Sequence, residues 1–175
     1  MNEVLNAIHE RRSTRGFSET PLTEEQLQTL IDAALASPSA RNTQLWHFSF
    51  VQDKAVLDQF RSFMAEKTGR PEMDPFYGAP TVIFISRPAE CENRFVDIDC
   101  GIACQNIVLA AQSLGLGSVI IGMVIEAFLS ERGAEFAKTV AMPEGHQFAV
   151  AIALGQNTVT KEAHPIGEDK ITIIR

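Results

Sequence analysis

The sequence predicts an α+β domain in which helices flank a mixed central sheet, and three observations lead there. Amphipathic helical patterns and short apolar runs alternate along the chain without the strict strand-helix rhythm of a doubly wound sheet. The first strand-to-helix turn carries no G-x-G-x-x-G, which disfavours a dinucleotide-binding Rossmann domain. A length of 175 residues at 45% hydrophobic content is enough for one well-buried core. No repeat, low-complexity segment or linker divides it, so residues 1–175 read as a single domain.

The elements follow from periodicity. Val4, Leu5 and Ile8 stand at helical spacing in a short helix over residues 2–12 that feeds a basic loop. Thr23 and Gln26 form a capping box ahead of an apolar face of Leu27, Leu30, Ile31, Ala34 and Leu35. That helix must stop before Ser37 and Pro38, because the residue preceding a proline is pushed out of the helical region. Residues 46–51 have strand composition, and residues 54–67 return to helical spacing through Leu57, Phe60 and Met64. After a turn-rich stretch at 69–80, residues 81–86 form an apolar strand. A long pattern over about 95–114 gives the central helix. Gly115 and Gly117 close it; residues 118–121 form a buried strand that Gly122 ends. Residues 125–140 read as one helix, 148–154 as a strand ending at Gly155, and 171–174 as a last strand.

Charge narrows the function classes. A net charge of −7 and a pI near 5.1 argue against a nucleic-acid binder, whose affinity rests on Lys and Arg neutralising phosphates. No run of about 18 apolar residues occurs, and the chain opens on a polar amphipathic segment, so a soluble cytoplasmic protein with no membrane partner is expected. Cys91, Cys100 and Cys104 fit neither a disulfide framework nor a zinc site. They read as reduced thiols, with Cys100 and Cys104 sharing one helix face as small buried residues.

Against this acidic background Arg11, Arg12 and Arg15 crowd into five positions beside Ser13 and Thr14. Guanidinium groups, hydroxyls and loop amides at the end of a helix suit an anion such as a phosphate. The same arginines also fit a solvated turn, or pairing with Glu10 and Glu19. The polar loop from Ser37 to Gln44, just before Trp46, could read the edge of a planar heterocycle or serve only as a capped helix-to-strand connection. His47, flanked by Trp46 and Phe48, reads as a half-buried histidine rather than a base. His9, His146 and His164 share no metal-ligand spacing, and no metal is expected. Asp97 and Asp99 open the central helix, where carboxylates favour the positive end of the dipole, so capping is their expected role.

Four segments in order, R-R-S-T-R-G-F at 11–17, P-S-A-R-N-T-Q-L-W-H-F at 38–48, G-A-P at 78–80 and S-L-G-L-G-S-V-I-I-G at 113–122, resemble the nitroreductase family of FMN enzymes over nearly the whole chain. The resemblance implies an α+β homodimer with FMN at the subunit interface. It implies that Arg11 and Ser13 hold the phosphate and ribityl chain, that Arg12 belongs to the same loop, and that Arg15 lies near the N1 and O2 edge of the isoalloxazine. Pro38, Ser39 and Asn42 would reach the flavin from the partner subunit, and Ile121 with Gly122 would lie against the ring near N5. Family members commonly complete the phosphate site with a basic pair in the tail. Lys161 is the candidate here, with Lys170 and Arg175 further on and none of them in a clear motif.

The implied activity is hydride transfer from NADH or NADPH through FMN to a small-molecule acceptor, a nitroaromatic, quinone or similar compound, in a ping-pong cycle. No catalytic dyad is required, since the cofactor carries the chemistry. No residue can be assigned to the ribose 2′ position, so the expected donor is NADH or NADPH. Phe76 and Tyr77 are placed either at the acceptor pocket or in packing under the next strand. A specialised flavin enzyme on the same scaffold, such as a dehalogenase, a dehydrogenase or a flavin-consuming enzyme, is the alternative. A non-catalytic flavin-binding sensor is the other.

Overall fold

The chain folds, in a computed structural model that describes residues 2–163, 165 and 167–175, into four strands and six α-helices. His164 lies outside the described residues. In chain order the elements are α1 (Glu3–Glu10), α2 (Glu24–Leu35), β1 (His47–Val51), α3 (Lys54–Thr68), β2 (Thr81–Pro88), α4 (Val96–Ser113), β3 (Gly117–Ile121), α5 (Ile125–Phe128), α6 (Gly133–Thr139) and β4 (His146–Gly155).

Local chemistry explains most boundaries. Thr23 and Gln26 form the expected reciprocal box at the start of α2, each side chain accepting the other residue's backbone N–H. Asp53 caps α3 by accepting the Ala55 amide, and Gly69 closes that helix in the left-handed region at φ 65°.

The strands lie in the order β1-β2-β4-β3, and every pairing between them is antiparallel. The sheet is therefore less mixed than expected: parallel pairing among the described residues is confined to the isolated bridge between Ser13 and Ser118. Strands β2 and β4 are central and covered on both faces, which accounts for their unbroken apolar sequences. Val82, Phe84, Ala151 and Ala153 point into one core with Phe60, Phe76 and Phe136. Ile83, Ile85, Ile152 and Leu154 point into the other with Leu30, Cys104, Ile107 and Val108. The result is three layers, with α3, α5 and α6 on one face of the sheet and α2 and α4 on the other.

Two expectations need correction. Residues 125–140 are two short helices rather than one: the Ser130 hydroxyl donates to the Ala127 carbonyl and its oxygen accepts the Arg132 amide. At Gly133 a Cβ would lie 2.1 Å from the Phe128 carbonyl oxygen, so the chain folds back on itself where only glycine fits. Residues 171–174 form no strand; Ile171 is extended, and Ile173 and Ile174 are exposed to solvent. Their apolar, β-branched composition is that of a strand, yet within this protomer they find no partner strand.

Candidate functional site

The basic loop is fixed by backbone hydrogen bonds to three other segments. The Thr14 amide donates to the Ser118 carbonyl at 2.9 Å, the Phe17 amide to Tyr77 at 3.2 Å and the Ser18 amide to Gln156 at 2.9 Å. The Thr158 amide returns a bond to Gly16. Gly117 is required for this approach, because a Cβ there would stand 2.8 Å from the Thr14 hydroxyl oxygen. Thr14 and Phe17 are thereby buried, while Ser13 is half-buried and Arg15 exposed.

The arginines divide the work. Arg12 turns back on α1, its guanidinium donating to the His9 and Arg11 carbonyls, which a helix end otherwise leaves unsatisfied. Its Nε is buried and has no hydrogen-bond partner. The half-buried Arg11 guanidinium makes no hydrogen bond or ion pair among the described residues, and it faces α4 closely enough to oppose the rise of the Cys104 pKa. Arg15 donates to the Ser13 carbonyl at 3.3 Å, and its guanidinium carbon lies 5.9 Å from the centre of the Tyr77 ring. None of the three pairs with Glu10 or Glu19; the ion pairs among the described residues all lie elsewhere. The reading of this loop as an ion-paired turn therefore fails.

Tyr77 is itself held in a strained conformation. Its φ is 56°, and the turn is clamped by Asp74, whose carboxylate accepts the Phe76 and Gly78 amides and pairs with Arg61 at 3.2 Å. Left-handed backbone at a non-glycine residue costs on the order of 1–3 kcal/mol and persists only where its surroundings enforce it. Phe76 is fully buried in packing, whereas Tyr77 remains half-buried beside Arg15.

The second candidate segment is a compact loop around the 3-10 turn Ala40–Asn42. Arg41, Asn42 and Gln44 all have positive φ, at 54°, 55° and 48°. Side chains tie the loop internally: Ser39 accepts the Gln44 amide at 3.0 Å and Asn42 accepts from the Gln44 side chain at 2.8 Å. Pro38 and Asn42 are exposed and Ser39 is half-buried. No hydrogen bond or ion pair among the described residues joins this loop to the basic one.

Asp97 and Asp99 stand in the first turn of α4 as expected, at the positive end of its dipole, but neither makes a side-chain capping hydrogen bond. Asp97 pairs with Arg87 at 2.8 Å. Asp99 is 3% exposed and accepts the Ala40 amide at 3.0 Å. Sequence reasoning missed this anchor, although a signal was present: Val96, Asp99, Cys100 and Ala103 fall at the spacing of one helix face, which puts a carboxylate on a buried stripe.

The remaining candidates are placed as follows. The Ile121 side chain is buried in the core, so it can meet an outside ligand only through its backbone, while Gly122 is exposed. Lys161 is exposed and follows by two residues Val159, whose side chain would lie 3.0 Å from a Cβ at Gly16. That puts the lysine's segment beside the basic loop. Cys100 and Cys104 are buried as expected, and burial pushes their thiols up to about 11 and about 12. Among the described residues no group of three or more metal-ligating side chains exists, and no helix is long and apolar enough to cross a membrane. A cavity of 630 Å³ opens between Glu19, Asp58, Arg61 and Pro80. None of the three arginines lines it.

Comparison with known proteins bears on the same segments. The model of the nitroreductase family matches residues 8–156. A crystal structure of a nitroreductase with bound FMN from Desulfitobacterium hafniense superposes over 100% of both chains with a TM-score of 0.91 at 33% identity. The NADPH-flavin oxidoreductase of Vibrio harveyi is 31% identical over 94% of this chain and 70% of its own length. A relative from Methanothermobacter thermautotrophicus is 38% identical over 69% of this chain, but the match spans only 61% of that protein. Family model, full-length structural likeness and the two loops quoted from the sequence agree, and this chain belongs to the nitroreductase family.

Proposed function

We propose that this protein is an FMN-dependent oxidoreductase that moves hydride from NADH or NADPH to a small electron-poor acceptor, a nitroaromatic or quinone, and works as a homodimer whose two halves share each site. One observation carries the reading. On a chain of net charge −7, Arg11 and Arg15 have no acidic partner among the described residues and Arg12 keeps a buried, orphaned Nε. Unpaired guanidinium groups beside a half-buried hydroxyl are what a phosphate monoester needs.

The residues present fit FMN. Arg11 and Ser13 would hold the phosphate and ribityl chain, with Lys161 arriving on the adjacent tail segment and Arg12 holding the loop on the end of α1. Arg15 supplies a fixed cation for the pyrimidine edge. Pro38, Ser39 and Asn42 provide the polar contacts of the second loop, with Ile121 and Gly122 at the end of β3. When bound, FMN supplies the two-electron hydride chemistry. The protein binds and orients, and leaves one face open so that nicotinamide and acceptor use it in turn.

Two features support the homodimer. Helix α1 has only eight residues, packs mainly on α4 and buries none of them fully, thin support for so short a helix. Its Val4, Leu5 and Ile8 are exposed, as are Phe95, Ile98 and Ile102 of the α4 region. Apolar surface of this extent calls for a partner, and a second copy of this chain is the simplest one. The three unpaired cysteines support a reducing, cytoplasmic setting.

Sizing together with flavin content tests the reading. The protein should purify as a dimer with FMN, and Arg11→Ala or Ser13→Ala should each lower FMN retention. A stable monomer with full flavin occupancy, or unchanged flavin in both variants, would remove the shared phosphate site.

A further inference from the structure

Resting on the FMN reading above, we infer that Asp99 is the positioning residue of the second loop: its carboxylate, relayed through Asn93, holds residues 39–44 in the shape that presents Ser39 and Asn42 to the cofactor. The loop carries three non-glycine residues in the left-handed region, a shape the backbone does not adopt without restraint. Its internal bonds, Ser39 with Gln44 and Gln44 with Asn42, set local geometry but cannot fix the loop to the body of the protein.

The anchors to α4 and the segment before it are few. Oδ1 of Asp99 accepts the Ala40 amide at 3.0 Å, bridging 59 positions of sequence. The Asn93 amide group has two hydrogens, and Nδ2 donates to Oδ2 of Asp99 at 3.3 Å and to the Thr43 hydroxyl at 3.0 Å. The orientation of that amide is set by its own oxygen, which accepts the Phe95 backbone N–H at 2.9 Å. Ala40 lies next to Ser39, and Thr43 lies next to Asn42. Each outward-facing residue is therefore flanked by an anchored one.

Burial gives this arrangement its leverage. Asp99 is 3% exposed, so a lost partner is not replaced by water, and both carboxylate oxygens are committed to holding the loop and its relay. The carboxylate makes no side-chain cap to its own helix, which separates its role from ordinary helix capping. Further back, Asn106 donates to the Ser37 hydroxyl at 3.0 Å and fixes the loop's entrance to the same helix.

The test uses the 175-residue chain stripped of flavin and two variants. Asp99→Asn keeps the volume but sets an NH2 group against one of two donors; Asn93→Ala removes only the relay and leaves the Asp99 carboxylate bonded to Ala40. Two quantities are read in each: the Kd for added FMN and the rate of tryptic cleavage after Arg41, with cleavage after Arg132 in the distant α5–α6 connection as the internal control. The expected result for Asp99→Asn is an FMN Kd at least tenfold higher and cleavage after Arg41 at least tenfold faster. Asn93→Ala should shift both several-fold in the same direction, with cleavage after Arg132 unchanged in each. If Asp99→Asn does not fold, Asn93→Ala carries the test alone. Wild-type FMN affinity in the variants overturns the inference, whether or not cleavage after Arg41 rises, and so does equal acceleration at Arg41 and Arg132. Failure of the unaltered chain to bind FMN would instead overturn the flavin reading.

Discussion

The guanidinium carbon of Arg15 lies 5.9 Å from the centre of the Tyr77 ring, and the chain reaches that pairing through a strained residue clamped by Asp74. An aromatic face beside an exposed guanidinium limits where the cation can swing. Under the proposed function that charge stabilises the electron-rich pyrimidine edge of reduced FMN. Arg15→Met should therefore lower the flavin reduction potential. A unit charge at about 4 Å is worth ~1–4 kcal/mol between bulk water and a protein surface, and ~1.4 kcal/mol corresponds to about 30 mV for a two-electron couple. The expected fall is on the order of tens of millivolts, read by spectroscopic titration against a reference dye; no shift would place Arg15 away from the ring.

Much of this was legible in the sequence, for identifiable reasons. The capping box at Thr23 and Gln26, the apolar runs of β2 and β4 and the long pattern of α4 are short-range signals, and short-range signals survive into the fold. The basic loop stood out because three arginines are conspicuous on an acidic chain. What remained hidden depends on partners distant in sequence. Leu35 reads as core from its spacing yet is 61% exposed, because the α2 face that packs on α4 is narrower than the apolar stripe. Asp99 reads only as a dipole partner in the first turn of α4, and its second role shows only once Ala40 is seen 3.0 Å away. The break at Ser130 is invisible to periodicity, since residues on both sides continue the helical spacing.

Phe60 anchors the core on the α3 face of the sheet. It is fully buried and its ring centre lies 5.0 Å from that of Phe84 and 4.7 Å from that of Phe136, with Phe76 and Phe128 also in reach. Phe60→Ala removes this hub and leaves a cavity the rigid sheet cannot close, which should cost ~3–5 kcal/mol. Urea unfolding should show a lower midpoint with an unchanged slope. A loss under ~1 kcal/mol would mean that α3 and α6 close over the gap.

His146 gives the protein a pH dependence of predictable sign. Its Nδ1 lies 3.2 Å from the Ser86 hydroxyl oxygen and its ring centre 6.3 Å from that of His47. Burial holds the imidazole below its ordinary 6.5, and the neighbouring His47 adds to the depression. The unfolded chain therefore takes up a proton at this residue before the folded one does. Its contribution to stability is whole above pH 6.5, and it declines as the pH falls through 6.5 toward the folded value. Thermal unfolding between pH 8 and pH 5 should show that decline, reduced in His146→Gln. In an NMR titration, His47→Gln should raise the His146 pKa only partway to 6.5, because burial is the larger cause; full recovery would assign the shift to His47 alone.

The most direct test of the central claim is the absorbance spectrum of the purified protein before and after anaerobic addition of NADH or NADPH, with the released chromophore identified. The account predicts FMN bands that bleach with nicotinamide and return when a quinone or nitroaromatic is added. FMN that binds but never bleaches would contradict the oxidoreductase cycle, and a chain that takes up no added FMN would contradict the site itself.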